Sequence, residues 1–220
     1  VSEIYIANNK PPFNDVRVRQ ALRIGLDVNA MAKAMGGRLN TAGVSTGYKD
    51  WALPDDEVKA LYPFDLTKAG DLLKQAGYGD KGPSFTVFVG NNSQPVITFT
   101  ELLEAQMRTI DFVMFTSGKS QEIDPDGNLV PVYHSKGELN YSKINDAQLD
   151  QMLLKQRTML DVPERKKVIQ DITRRIADQA FSLNPIMNDR LIYMRPYVKG
   201  YSPHFYWGYG QKFVATWLDK

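Results

Sequence analysis

The chain has 220 residues, 43% hydrophobic and 24% charged, with 27 Lys plus Arg against 25 Asp plus Glu and a net charge of +2. Those proportions belong to a folded globular chain large enough for one ordinary core, and they exclude a largely disordered polypeptide. A charge so close to balance leaves no electrostatic footprint for nucleic acid, and the lack of cysteine excludes disulfides, thiolate metal sites and cysteine nucleophiles.

Ile4-Tyr5-Ile6-Ala7 reads as a strand that ends in the breakers Asn8-Asn9-Lys10-Pro11-Pro12. Asn14 or Asp15 caps a helix whose apolar face is Val18, Ala21, Leu22 and Leu26. Asp27 then caps a second helix, which Gly36-Gly37 stops. From about 38 to 54 the pattern lapses into a surface loop. Asp65 opens a helix with Leu66, Ala69, Leu72, Leu73 and Ala76 on one face and Gly77 as its stop. A buried strand is expected at Phe85–Val89, a helix at about 95–108, and a second apolar strand at Phe112–Phe115. Two helices follow at about 146–160 and 163–179, the second with Asp161 and Glu164 as a capping box. Ile186 and Leu191–Met194 supply further strand. The expected core is Leu22, Leu26, Leu72, Leu73, Val87, Val89, Leu103, Phe112, Met114, Leu153, Ile169, Ile172 and Ile176. Helices and strands alternate, so the class is α/β with a mixed sheet flanked by helices. No stretch approaches the roughly 20 apolar residues needed to cross a bilayer. The opening Val1-Ser2-Glu3-Ile4 suggests a mature or excised piece of something longer.

Several motifs invite chemistry and yield to plainer readings. Gly77-Tyr78-Gly79-Asp80-Lys81-Gly82 matches the dinucleotide fingerprint in letters, but a helix precedes it and a strand follows, the reverse of what pyrophosphate binding needs. Glu122-x-Asp124-x-Asp126-Gly127 mimics the start of a calcium loop, yet its twelfth position is Tyr133 rather than Glu, so a Pro-containing turn is expected. His134 and His204 are the only histidines and carry no metal-ligand or nucleophile spacing. The aromatic run Tyr201, Phe205, Tyr206, Trp207 and Tyr209 suits a core or domain interface better than base stacking. No cofactor, metal or catalytic residue is expected, and the chain is not read as an enzyme.

Four ordered blocks carry a resemblance. Pro12-Phe13-Asn14-Asp15-Val16-Arg17-Val18-Arg19-Gln20-Ala21-Leu22 resembles the "PFxDxRVRQAL" signature of extracellular solute-binding proteins of family 5, the dipeptide, oligopeptide and nickel receptors of ABC importers. Tyr62-Pro63-Phe64-Asp65 with Lys68–Tyr78, then Asp124–Leu129 with Tyr133-His134-Ser135 and Asn140-Tyr141-Ser142, then Tyr197–Tyr201, are similar to later blocks of the same family. The resemblance implies a periplasmic-binding-protein type II-like fold. It also implies that residues 1–220 form one domain, the second lobe plus C-terminal return segment of a two-lobed receptor. Its partners would be a small polar solute such as an oligopeptide, together with the missing N-terminal lobe and the importer's membrane subunits. Its place would be the periplasm or the extracellular face of the bacterial cytoplasmic membrane. Two departures stand out. Ile110 meets Asp111 where relatives insert a strand and a helix, so a deleted or omitted segment is expected there. Gly118 and Gln121 occupy the positions where peptide-binding members carry an aromatic and an acidic residue.

Ligands of open α/β sheets sit beyond the carboxyl ends of strands. That rule selects the polar loops after the two expected strands, and with them Asn91, Asn92, Ser93, Gln94, Ser117, Gly118, Lys119 and Gln121 as ligand-binding candidates. A solute-sensing regulatory module, or a hydrolase built on His134, is the rival reading.

Overall fold

A computed structural model describes residues 2–79, 82–83, 94–106, 115–118, 124–188, 193–201 and 215–219. Strand β1 (Ser2–Tyr5) leads to helix α1 (Val16–Gly25), where the Asp15 carboxylate accepts from the Arg17 N–H at 2.8 Å. Asp27 caps α2 (Val28–Ala34) in the same way through Ala30, at 2.9 Å. Strand β2 (Gly37–Leu39), a 3-10 helix over Thr46–Trp51 and α3 (Asp55–Ala60) follow. Helix α4 (Leu66–Gln75) starts on Asp65 and ends at Gly77, whose φ of 90° lets the Tyr78 N–H turn back to the Leu73 carbonyl at 2.9 Å. Then come α5 (Gln94–Gln106), β3 (Phe115–Gly118), α6 (Asp126–Tyr133), α7 (Ala147–Arg157) and α8 (Val162–Asp178). The chain closes with β4 (Ser182–Leu183), β5 (Ile186–Asn188), β6 (Val198–Lys199) and β7 (Trp217–Leu218).

The central sheet has the order β3-β1-β4, with both neighbours antiparallel to β1. Alternation along β1 explains the layering, because successive side chains leave a strand on opposite faces. Ile4 and Ile6 join one apolar cluster with Val18, Leu22, Met31, Phe99 and Leu103 of α1, α2 and α5. Tyr5 faces the other, made by Leu129, Leu149, Leu153, Ile169, Ile172 and Ile176 of α6, α7 and α8. The chain is therefore an α/β layered structure with helices on both faces of a buried sheet. Ladders β2–β5 and β6–β7 are separate two-stranded pairs, also antiparallel.

Several sequence expectations change. The stretch 38–54 is not plain loop, since it contributes to β2 and holds the 3-10 helix. β2 forms because β5 offers a partner from far downstream, which no local pattern announces. The Pro-containing turn expected within 122–127 is present over Asp124–Gly127, where the Gly127 N–H donates to the Asp124 carbonyl at 3.2 Å, and it runs directly into α6, which begins at Asp126 behind Pro125 with its φ of −55°. Tyr193 and Met194 are exposed and not in a strand. Leu72 and Leu73 are only half-buried, because α4 lies at the rim of the core, against α1. The expected strand 85–89, Phe112, Met114, the Ile110–Asp111 junction and most of the aromatic run lie outside the described residues.

The Arg17–Arg23 stretch acquires a physical role. The last carbonyls of any helix lack intrahelical donors. Here α1 supplies them to α8: Arg19 Nε donates to the Gln179 carbonyl at 3.0 Å, Gln20 Nε2 to Asp178 at 2.8 Å and an Arg23 guanidinium nitrogen to Ala177 at 2.8 Å. Arg19 also donates to the Phe13 carbonyl at 2.6 Å, and its guanidinium lies 5.6 Å from the Phe181 ring centroid. Burial pushes its pKa down to about 10, so it remains cationic at neutral pH.

Candidate functional site at the carboxyl edge of the central sheet

Because β3 and β4 both oppose β1, they are parallel to each other, and their carboxyl ends share one edge with the amino end of β1. The register places Ser117 opposite Glu3, Gly118 opposite Ser2, and Leu183 opposite Ile4. Continuing the last pairing by one residue sets Asn184 opposite Glu3. Glu3, Ser182 and Asn184 then share a face, since directly opposed residues in an antiparallel pair project to the same side.

This edge is polar and enclosed. Glu3 is fully buried and accepts from the Tyr133 hydroxyl at 2.6 Å and the Ser182 hydroxyl at 2.7 Å. Tyr133 in turn accepts from the Gly43 N–H at 2.8 Å. Burial pushes the Tyr133 phenol well above its ordinary pKa, and the neighbouring Glu3 acts in the same direction, so Tyr133 is a fixed neutral donor. Asn40, fully buried after β2, bonds through its N–H to the Pro185 carbonyl at 2.9 Å and so joins the residue after Asn184. Its Oδ1 accepts from the Ser45 hydroxyl at 2.9 Å, the Thr46 N–H at 2.9 Å and the Thr46 hydroxyl at 3.2 Å. Among the described residues, Nδ2 of Asn40 and Oδ1 of Asn184 are buried without a hydrogen-bond partner. Each such buried atom costs about 1–3 kcal/mol.

Of the candidates from sequence, Ser117 and Gly118 fall at this edge, within β3 rather than in the loop expected to begin at Thr116. The ladder with β1 is what extends the strand. Gln94 is exposed at the start of α5, where its Nε2 donates to the Thr98 hydroxyl at 3.3 Å. Asn91, Asn92, Ser93, Lys119 and Gln121 lie outside the described residues. The sequence reading missed Glu3, Asn40, Tyr133, Ser182 and Asn184. A lone Glu at a strand start signals solvent until the distant hydroxyls that bury it are known.

The Asp-Pro block has its carboxylates engaged. Arg165 forks onto Asp124 through two bonds of 2.7 Å, and that pairing holds the Asp124 pKa below the usual carboxylate range. Asp126 is bonded by Gln156 and lies 3.2 Å from Arg157. These carboxylates bind arginine and glutamine side chains in the structure, not a cation-ready loop. His134 Nδ1 accepts from the Lys136 N–H at 3.0 Å, while the Ser135 hydroxyl is bonded to Asp150 at 2.5 Å instead of to the imidazole. This is a turn-stabilising set, without the serine–histidine bond that nucleophilic catalysis requires. At the far end of α8 lies an open polar groove lined by Gln148, Met152, Asp171, Arg174, Arg175, Asp178 and Gln179. Its arginines are paired with Glu57, Asp171 and Asp146.

The fold is periplasmic-binding-protein type II-like. Residues 1–127 match the model for bacterial extracellular solute-binding proteins, family 5, middle region, and the chain belongs to that family. It is similar to the probable deoxycholate-binding periplasmic protein YgiS of Escherichia coli, with 29% identity over 232 residues, 92% of this chain and 43% of the relative. A glutathione-binding protein GsiB of Salmonella choleraesuis is 33% identical over 113 residues, 49% of this chain and 21% of the relative. The periplasmic binding protein DppA of Helicobacter pylori, solved in complex with the peptide STSA, superimposes with a TM-score of 0.71 at 21% identity, covering 100% of this chain and 47% of that one. The chain thus spans less than half the length of these relatives.

Proposed function

We propose that residues 1–220 form the second lobe and return segment of a two-lobed receptor that captures a small polar, peptide-like solute and delivers it to the membrane subunits of an ABC importer. The observation that carries this reading is the carboxyl edge of β3–β1–β4, where the register sets Ser117 opposite the buried Glu3 and Gly118 opposite Ser2. Such an edge suits orientation of a neutral polar solute. The names of relatives favour the peptide class, since glutathione is itself a tripeptide and one fold neighbour holds STSA. Asn91, Asn92, Ser93, Gln94, Ser117, Gly118, Lys119 and Gln121 supply the contacts from this side. The first lobe closes over them without covalent chemistry, metal or cofactor. The receptor operates in the periplasm or at the extracellular face of the cytoplasmic membrane.

Titration calorimetry with peptides of two to five residues tests this. The two-lobed receptor should bind with a measurable enthalpy, and residues 1–220 alone should bind at least tenfold more weakly, because one lobe buries one side of the ligand only. Equal affinity of the isolated lobe and the whole receptor would refute the clasp.

A further inference from the structure

We propose that Arg165 is a positioning residue for solute binding: by gripping Asp124 it fixes the outgoing end of the stretch that carries the Lys119 and Gln121 contacts of the proposed site. The proposal rests on that reading of the site and adds what holds those contacts in place. The incoming end is set by the sheet, where Gly118 at the end of β3 opposes Ser2 of β1. The outgoing end is Asp124, only six positions further along. Every nitrogen of the Arg165 guanidinium is engaged. Two fork onto the two oxygens of Asp124, each at 2.7 Å, and Nε donates to Gln156 Oε1 at 3.0 Å. The cation also lies 5.2 Å from the Trp51 ring centroid. Asp124 Oδ1 accepts in addition from the Asp126 N–H at 2.8 Å, which ties its side chain to the start of α6. Arg165 stands on α8, whose Ile169, Ile172 and Ile176 are fully buried, so the grip comes from a fixed support. The Asp124 side chain is 49% exposed, and a pair this wet adds little stability. Its effect is on geometry: a short stretch held at both ends has less freedom left to lose when its side chains order on a ligand.

The probe is the tightest binder from a pool of two- to five-residue alanine peptides, titrated against the two-lobed receptor, with thermal melts of the same samples. Arg165→Met should weaken binding roughly tenfold, the cost of ordering one or two freed side chains. Arg165→Lys should weaken it nearly as much, because an ammonium keeps the charge but cannot fork. The control is Arg175→Met, which breaks a forked pair with Asp146, at 2.9 and 2.7 Å, ten residues along the same helix. That pair is more enclosed, so the control should lower the melting temperature at least as far as Arg165→Met yet leave the affinity within about twofold. Asp124→Asn added to Arg165→Met should bind no more weakly than Arg165→Met alone, since the two residues act as one unit. Should Arg165→Met fold poorly, Arg165→Lys and Asp124→Asn read the same loss. Binding as tight as wild type in the Arg165 variants overturns the proposal, as do an equal loss in Arg175→Met and losses that add in the double variant. Failure of the wild type to bind any peptide in the pool overturns the peptide-like reading itself, a separate result.

Discussion

Replacing Arg19 by Met removes the cation that joins α1 to the end of α8 while keeping the apolar length of the side chain. The carbonyls of Gln179 and Phe13 each lose a charged donor, at 3.0 and 2.6 Å, inside a site where Arg19 is 4% exposed. Bonds of this kind contribute about 1.5–3 kcal/mol apiece. The loss is offset in part because Met escapes the burial that drags the guanidinium pKa down to about 10. A net destabilisation of about 2–3 kcal/mol is expected. With a urea slope of about 2 kcal/mol/M, typical of the range for small proteins, the unfolding midpoint should fall by roughly 1 M. Arg17→Met is the control: its guanidinium bonds Asp15 in the same turn and the Gln75 carbonyl at 2.6 Å, both at a solvent-exposed site, so the shift should stay below about 0.5 M. An Arg19→Met midpoint equal to wild type, or an Arg17→Met shift as large, would refute the clamp.

Tyr133→Phe strips one donor from the buried Glu3 and the acceptor from the Gly43 N–H, so it should cost about 2–4 kcal/mol in denaturant unfolding; a loss under about 0.5 kcal/mol would sink the buried network. Ile172→Ala, at a fully buried contact between α8 and the sheet, should cost about 2–5 kcal/mol by the same measurement, whereas Leu160→Ala, 97% exposed, should change almost nothing. Acid should act through the arginine-paired carboxylates. Asp124, Asp15 and Glu57 have folded pKa values below their unfolded ones, chiefly through hydrogen bonds from Arg165, Arg17 and Arg174. Their contribution is therefore complete above the unfolded carboxylate range and lost as pH falls through the folded values, below about pH 4. Unfolding curves should show stability flat from pH 7 to 5 and declining below 4, with a shallower decline in Asp124→Asn; an unchanged acid limb in that variant would contradict the assignment.

What was legible in the sequence was local. Asp15, Asp27, Asp65 and Asp161 each cap a helix two or three residues away, and the caps are where the pattern of carboxylate before apolar periodicity predicts them. Buried Leu153, Ile169, Ile172 and Ile176 follow equally from helical spacing. What was not legible depends on distant partners. Glu3 is core only because Tyr133 and Ser182, 130 and 179 residues along the chain, bring hydroxyls to it. Asn40 lies in the stretch read as a surface loop, and Asn184 carries no local signal of burial, until β2 and β4 enclose them. The Arg-Val-Arg-Gln block was recognisable as a family signature, but its capping of α8 needed the fold.

Hydrogen–deuterium exchange of the two-lobed receptor, with and without a bound peptide from the alanine pool, tests the central claim most directly. If the solute lies on the carboxyl edge of the central sheet, amides of Ser2–Tyr5, Thr116–Gly118 and Leu183–Asn184 should slow by at least about tenfold on binding. The far end of α8, at Arg175–Gln179, should exchange as before. Protection confined to that far end or its open groove, with the β3–β1–β4 edge unchanged, would place the solute elsewhere and contradict the account.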